Sequence, residues 1–135
     1  MSQVSKRSVA KDIEKRMQEV LWESFSSLRR SKDAKLFLSD LLTPTEKIVL
    51  AKRLAIAVLL SKGYDNEAIM GILKVSSATV AKIKLSLGSK GYQMVLEKLL
   101  RKEAWREFLE GIDKVWYKMY PYAEHPSEFR PKKVL

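Results

Sequence analysis

Residues 63–90 read GYDNEAIMGILKVSSATVAKIKLSLGSK. Asp65 is a good N-cap for a short helix running to about Lys74, and a tight break at Lys74-Val75-Ser76 leads into a second short helix that opens at Ser76 or Ser77 and closes at Gly88. Two short helices joined this way match a helix-turn-helix over about residues 65–87. Its small core would come from Ile69, Ile72, Leu73, Val75, Val80 and Ile83, leaving Ser76, Ser77, Thr79, Lys82 and Lys84 available to face outward. Between Glu67 and Glu97 there is no acidic residue, while Lys74, Lys82, Lys84 and Lys90 lie inside that window. The second helix has no acid in its first turn, so its N-terminal amides and positive dipole end are free for phosphate. Two positions depart from the pattern: Met70 stands where a small residue is usual, and Lys74 where the turn often has Gly. A helix, a Ser-capped turn and another helix also occur for packing alone, and the segment by itself leaves that reading open.

Working outward, Thr43-Pro44-Thr45-Glu46 places Thr at an N-cap, Pro at the first helical position and Glu at the third. A helix is therefore expected from Pro44 to about Lys62, stopping at Gly63. It is apolar nearly all round from Leu54 to Leu60, the pattern of a buried central helix. Upstream, Val9, Ile13, Met17, Val20, Leu21, Phe25 and Leu28 form one apolar stripe on a long helix, and a basic break at Arg29 to Lys32 precedes a short helix carrying Leu36, Phe37, Leu38, Leu41 and Leu42. Downstream, one helix is expected from near Tyr92 toward Tyr120, with a stripe of Leu96, Leu99, Leu100, Ala104, Phe108, Leu109, Ile112, Val115, Trp116 and Met119. Pro121, Pro126 and Pro131 then make residues 121–135 an irregular C-terminal arm. The expectation is an all-α chain, with residues 1–120 as a single DNA-binding and dimerisation domain. Its long amphipathic end helices favour a homodimer, the alternative being a closed monomeric bundle.

The whole chain has 135 residues, 46% of them hydrophobic, and a formal net charge of +10. An excess of that size points to a polyanionic partner, whether nucleic acid, an acidic membrane surface or an acidic protein. The absence of cysteine removes disulfide frameworks, thiol catalysis and cysteine-ligated metals. With one histidine, His125, in a Pro-flanked tail, Ser-His-Asp chemistry and multi-His metal sites are not expected. There is no Gly-rich phosphate loop and no nucleophile elbow, so the chain reads as a non-enzyme without metal or cofactor. The charged N-terminus lacks a signal-peptide core, and the run Leu54 to Leu60 is far short of the roughly 20 residues that span a bilayer. A cytoplasmic protein with no membrane partner is expected.

The stretch from Leu42 to Leu87, with its LTP-x-E start, Arg53, Gly63 and the run LKVSSATVAKIKLSL, resembles the Trp repressor family of bacterial helix-turn-helix proteins over roughly residues 10–110. The resemblance implies an intertwined all-helical dimer whose recognition helices enter successive major grooves of a palindromic operator. It also implies an effector pocket in which Arg53, Thr43 and Ser86 match family positions. Lys82 stands where the family's second pocket arginine would be, and Ile83 where a glycine would follow it. Lys lacks the flat guanidinium face on which an indole stacks, and an Ile side chain would project where the ring lies, so tryptophan is not expected to be the effector. Arg53 could equally serve a phosphate or a surface ion pair.

The functional expectation is a sequence-specific regulator of transcription, a repressor, that binds double-stranded DNA as a homodimer. Phosphate contacts would come from Ser76, Ser77 and Lys90, and base or groove contacts from Thr79, Lys82 and Lys84. Arg130, Lys132 and Lys133 would add phosphate contacts or remain solvated. The competing readings are a helical adaptor for an acidic protein and a basic, sequence-independent nucleic-acid binder. Tyr92 is the chief aromatic near the motif, a poor platform for stacking single-stranded bases.

Overall fold

The structure, a computed structural model, describes residues 9–126. These residues form seven helices and no strand. Two compact units divide the chain, residues 1–51 and 52–135, with the boundary inside the third helix.

The first unit holds α1 (Lys11–Ser26), α2 (Ser31–Leu41) and the start of α3 (Pro44–Ser61). The entry to α3 is a reciprocal capping box: Thr43 N–H donates to Glu46 Oε1 at 2.8 Å, and Glu46 N–H donates to Thr43 Oγ1 at 3.1 Å. The stripe of α1 exists as read, but none of its residues is buried. No residue of 9–51 is buried, and Met17, Val20 and Trp22 are each about 60% exposed. Phe25 and Phe37 meet edge to face at 6.1 Å, the one aromatic pair among the described residues of this unit.

The second unit carries the core. It contains the rest of α3, then α4 (Asn66–Leu73), α5 (Ser77–Ser86), α6 (Lys90–Leu99) and α7 (Glu103–Met119). Ala55 to Leu59 of α3 are buried in succession, on every side of the helix, as its all-round apolar character requires. Around them gather Ile69, Val80, Ile83, Leu96, Ile112 and Trp116. At the end of α3, Gly63 takes φ 95°; its N–H reaches the carbonyl of Leu60, and that of Tyr64 reaches Leu59, which is a Schellman cap.

The expected single helix from Tyr92 to Tyr120 is corrected here: the chain turns at Leu100-Arg101-Lys102, separating α6 from α7. Both Leu96 and Ile112 lie in the core. The apolar positions 96, 100, 104, 108 and 112 recur in four-residue steps, and each such step advances about 40° beyond a full turn. Four steps place Leu96 and Ile112 about 160° apart on a straight helix, nearly opposite faces, and the break lets both turn toward the same core. No Gly or Pro marks the turn, which is why local reading passed over it.

Residues 121–125 are irregular, and His125 among them is buried. Pro131 and the basic residues Arg130, Lys132 and Lys133 lie outside the described residues.

The one non-glycine residue with positive φ among the described residues is Lys74, at φ 57° and ψ 57°, terminating α4 in the left-handed region. Its own N–H and that of Val75 both reach the carbonyl of Met70. A side chain there costs about 1–2 kcal/mol relative to glycine, part of which glycine's greater unfolded-state freedom offsets. Lys74→Gly is therefore expected to raise stability by about 0.5–1 kcal/mol in urea unfolding; a loss of stability would show that the Lys74 side chain makes a compensating contact.

Candidate nucleic-acid interface

The helix-turn-helix is present with the boundaries its caps dictate. Asp65 accepts from the Ala68 N–H at 2.9 Å and starts α4, while Ser76 accepts from the Thr79 N–H at 3.2 Å and starts α5. α4 packs on α5 and on α7. Ile69, Val80 and Ile83 are buried between these helices, with Ile72, Leu73 and Val75 half-buried around them. The turn is held from outside the motif as well. Lys52 of α3 donates from Nζ to the Lys74 carbonyl at 3.3 Å, placing a cation on the negative end of α4. Lys52 was not singled out from the sequence, because it lies 22 residues before its partner.

At α5 the expected contact residues fall into different positions. Ser76, Ser77, Lys82, Lys84 and Lys90 are exposed. Thr79 is half-buried, and its hydroxyl sits 2.9 Å from that of Ser76, so the pair forms part of the cap. Lys90 opens α6. Lys84 lies on the flank of α5, lining a cleft of about 630 Å³ shared with Leu60, Asp65 and Glu67. The face opposite Val80 and Ile83 is an arc about 100° wide formed by Ala78, Ala81, Lys82 and Leu85. All four are exposed, Leu85 by 89%. Ala78, Ala81 and Leu85 were missed in the sequence because charge and hydroxyl groups drew the reading; their three- and four-residue spacing opposite the buried pair was the available signal.

The residues suggested for an effector pocket are dispersed in role. Thr43 caps α3 in the first unit, Arg53 is half-buried on α3, and the Ser86 hydroxyl donates to the Lys82 carbonyl at 3.4 Å. Ile83 does not project from the helix; it is 6% exposed and belongs to the core. The two clefts described in the second unit are lined elsewhere, the other being a cleft of about 600 Å³ with Asp65, Trp116, Tyr120 and Glu124 on its wall. Among the described residues no group of His, Asp and Glu has the arrangement of a metal site, and no helix is long and apolar enough to cross a membrane.

A cluster that the sequence did not announce, with Tyr64 and His125 buried and Asp113 at its partly exposed edge, ties the Gly63-Tyr64 corner to α7. Tyr64 donates from its hydroxyl to Asp113 Oδ1, and His125 Nε2 lies 2.7 Å from the same oxygen and 2.8 Å from the phenol oxygen. With the phenol proton given to Asp113, a proton on Nε2 directed at both oxygens satisfies all three groups. The imidazole stacks on Tyr117 and meets Trp116 edge-on. Burial first, then the hydrogen bond and charge of Asp113, push the Tyr64 phenol well above its ordinary value. The group is a hydrogen-bond donor, the opposite of an activated nucleophile. A phenol whose proton is held more tightly in the folded chain stabilises fully below the unfolded value of 10.0, and that stabilisation is lost as pH rises above it. The wild-type chain should lose about 1.4 kcal/mol per pH unit above pH 10 from this residue. Tyr64→Phe should flatten the alkaline stability profile by that amount, as measured by urea unfolding between pH 9 and 11.

Residues 16–100 match the model of the family described as Trp repressor protein. The matched span runs from α1 to the end of α6 and includes the whole helix-turn-helix. Among curated proteins and solved structures there is no significant match.

Proposed function

The chain belongs to the Trp repressor family of DNA-binding transcriptional regulators, and from that premise we propose that it is a cytoplasmic, homodimeric repressor that recognises a palindromic operator and does not respond to tryptophan. The observation that carries this reading is the α5 entry: an exposed, Ser-capped helix N-terminus with no carboxylate in its first turn, inside an acid-free lysine-bearing segment. Ser76, Ser77 and Lys90 serve as phosphate contacts and Lys82 as a base or groove contact. Thr79 and Lys84 contribute from the edges of the same surface. The uncovered apolar stripe of α1 supports the dimer, in which residues 1–120 act as one unit. For the effector, the Lys82 ammonium offers no planar surface on which an indole could stack. Arg53 and Ser86 are candidate contacts for a different effector or, for Arg53, for phosphate.

Selection of duplexes from a random pool at physiological salt tests the proposal. A palindromic consensus with half-sites about 34–36 Å apart, or a multiple of that, is the expected result. Uniform salt-sensitive binding without a consensus would make the protein a sequence-independent binder, and no enrichment would make it an adaptor. Lys82→Ala should lower the salt slope of operator binding by about one unit if the ammonium meets a phosphate, or relax specificity at one position if it meets a base. A variant with unchanged affinity and preference would remove Lys82 from the interface. Calorimetric titration with tryptophan should show no micromolar binding.

A further inference from the structure

We infer that the outermost face of α5 reads thymine methyl groups in the DNA major groove through Ala78, Ala81 and Leu85, a refinement that rests on the function proposed above. α5 uses Val80 and Ile83 for the core, which turns the opposite arc outward. That arc is three apolar side chains and one lysine, and Leu85 is 89% exposed at its centre. Ala78 and Leu85 are separated by about 10 Å along the helix, the length of about three base-pair steps. The surroundings suit a polyanion: the sequence from Ala68 to Leu96 holds lysines and no acid.

The chemistry of the groove selects the base. Among the groups that base pairs display in the major groove, the C5 methyl of thymine is apolar and the others are hydrogen-bond donors and acceptors. Alanine and leucine side chains laid against a donor or acceptor remove water without replacing its hydrogen bond, so they disfavour the other bases as well as favouring thymine. Lys82, on the same arc, supplies a donor suited to the O6 and N7 acceptors of guanine. The half-site is thus expected to combine thymines spaced over about three steps with an adjacent guanine. Leu85 is the principal specificity residue, because it presents the largest apolar group.

The experiment uses the duplex enriched by selection, with deoxyuridine replacing thymine one position at a time; uracil keeps every hydrogen-bonding group and lacks only the methyl. Wild-type protein is expected to lose about four-fold in affinity at each contacted thymine, the factor that corresponds to burying one methylene-sized group. Leu85→Ala keeps strong helix propensity at an exposed position, and thermal melting confirms that it is folded. It is expected to lose the uridine sensitivity at one half-site position while keeping it at the others. If wild-type protein binds the enriched duplex equally well with uridine at every position, the inference is overturned and the proposed function stands. If Leu85→Ala retains the full wild-type sensitivity throughout, Leu85 is not the reader and the assignment fails. If no duplex is enriched, the proposed function fails and this inference falls with it.

Discussion

Ser77→Glu is expected to lower duplex affinity by at least about 30-fold while leaving the fold as stable as before or slightly more so. Ser77 is the first residue of α5 and is exposed, while the cap itself is made by Ser76. A carboxylate in the first helical turn interacts favourably with the positive end of the dipole, by about 0.3–1 kcal/mol. The same carboxylate would face the phosphate that the helix N-terminus is proposed to hold, and like charges forced together at an interface cost several kcal/mol. Taking about 2 kcal/mol as a lower bound gives the 30-fold loss. The two readouts move in opposite directions, so a binding defect from misfolding is distinguishable from one at the surface. Fluorescence anisotropy with the selected duplex and thermal melting of the free protein measure them. Affinity within two-fold of wild type, with an undiminished melting temperature, would mean that the α5 N-terminus does not approach DNA phosphate.

The second large effect lies in the core beneath the motif. Ile69 has no exposed surface and joins α4 to the cluster that holds Val80 and Ile83 of α5. Ile69→Ala removes buried methyl and methylene groups and leaves a cavity that the neighbouring helices fill only partly, at a cost of about 2–5 kcal/mol. Against a total stability of about 5–15 kcal/mol, that is a large fraction, and the midpoint of urea unfolding should fall accordingly. Tyr122→Ala, at a fully exposed position, provides the contrast and should change stability by about 0.5 kcal/mol or less. A cost below 1 kcal/mol for Ile69→Ala would mean that α4 does not pack as described.

Local chemistry carried much of this structure. The capping box of Thr43 and Glu46, the Asp65 and Ser76 caps and the Gly63 stop each depend on residues within a few positions of one another, so their spacing alone placed the ends of α3, α4 and α5. The helix-turn-helix was legible for the same reason, together with the acid-free segment from Ala68 to Leu96. Reading failed where three-dimensional addition mattered. The 96-to-112 series counted as one stripe because each step looked helical, while the break at residues 100–102, which turns both ends toward one core, has no Gly or Pro to mark it. Likewise, Lys84 looked equivalent to Lys82 by type, yet two residues on a helix face directions about 200° apart, and Lys84 borders the cleft with Asp65 and Glu67.

The sequence by itself therefore determined the all-helical class, the ends of α3, α4 and α5, the motif and the family, because those follow from contacts between near neighbours and from the period of apolar residues. Tertiary structure alone decided that Lys52 braces the turn, and that Tyr64, Asp113 and His125 share one partly buried network across separations of 12, 49 and 61 residues. Such partners carry no local pattern: what brings them together is the burial of Ile56, Leu59, Ile69, Leu96 and Trp116 in a common core, and polar groups carried inward with that core must find one another once water is gone.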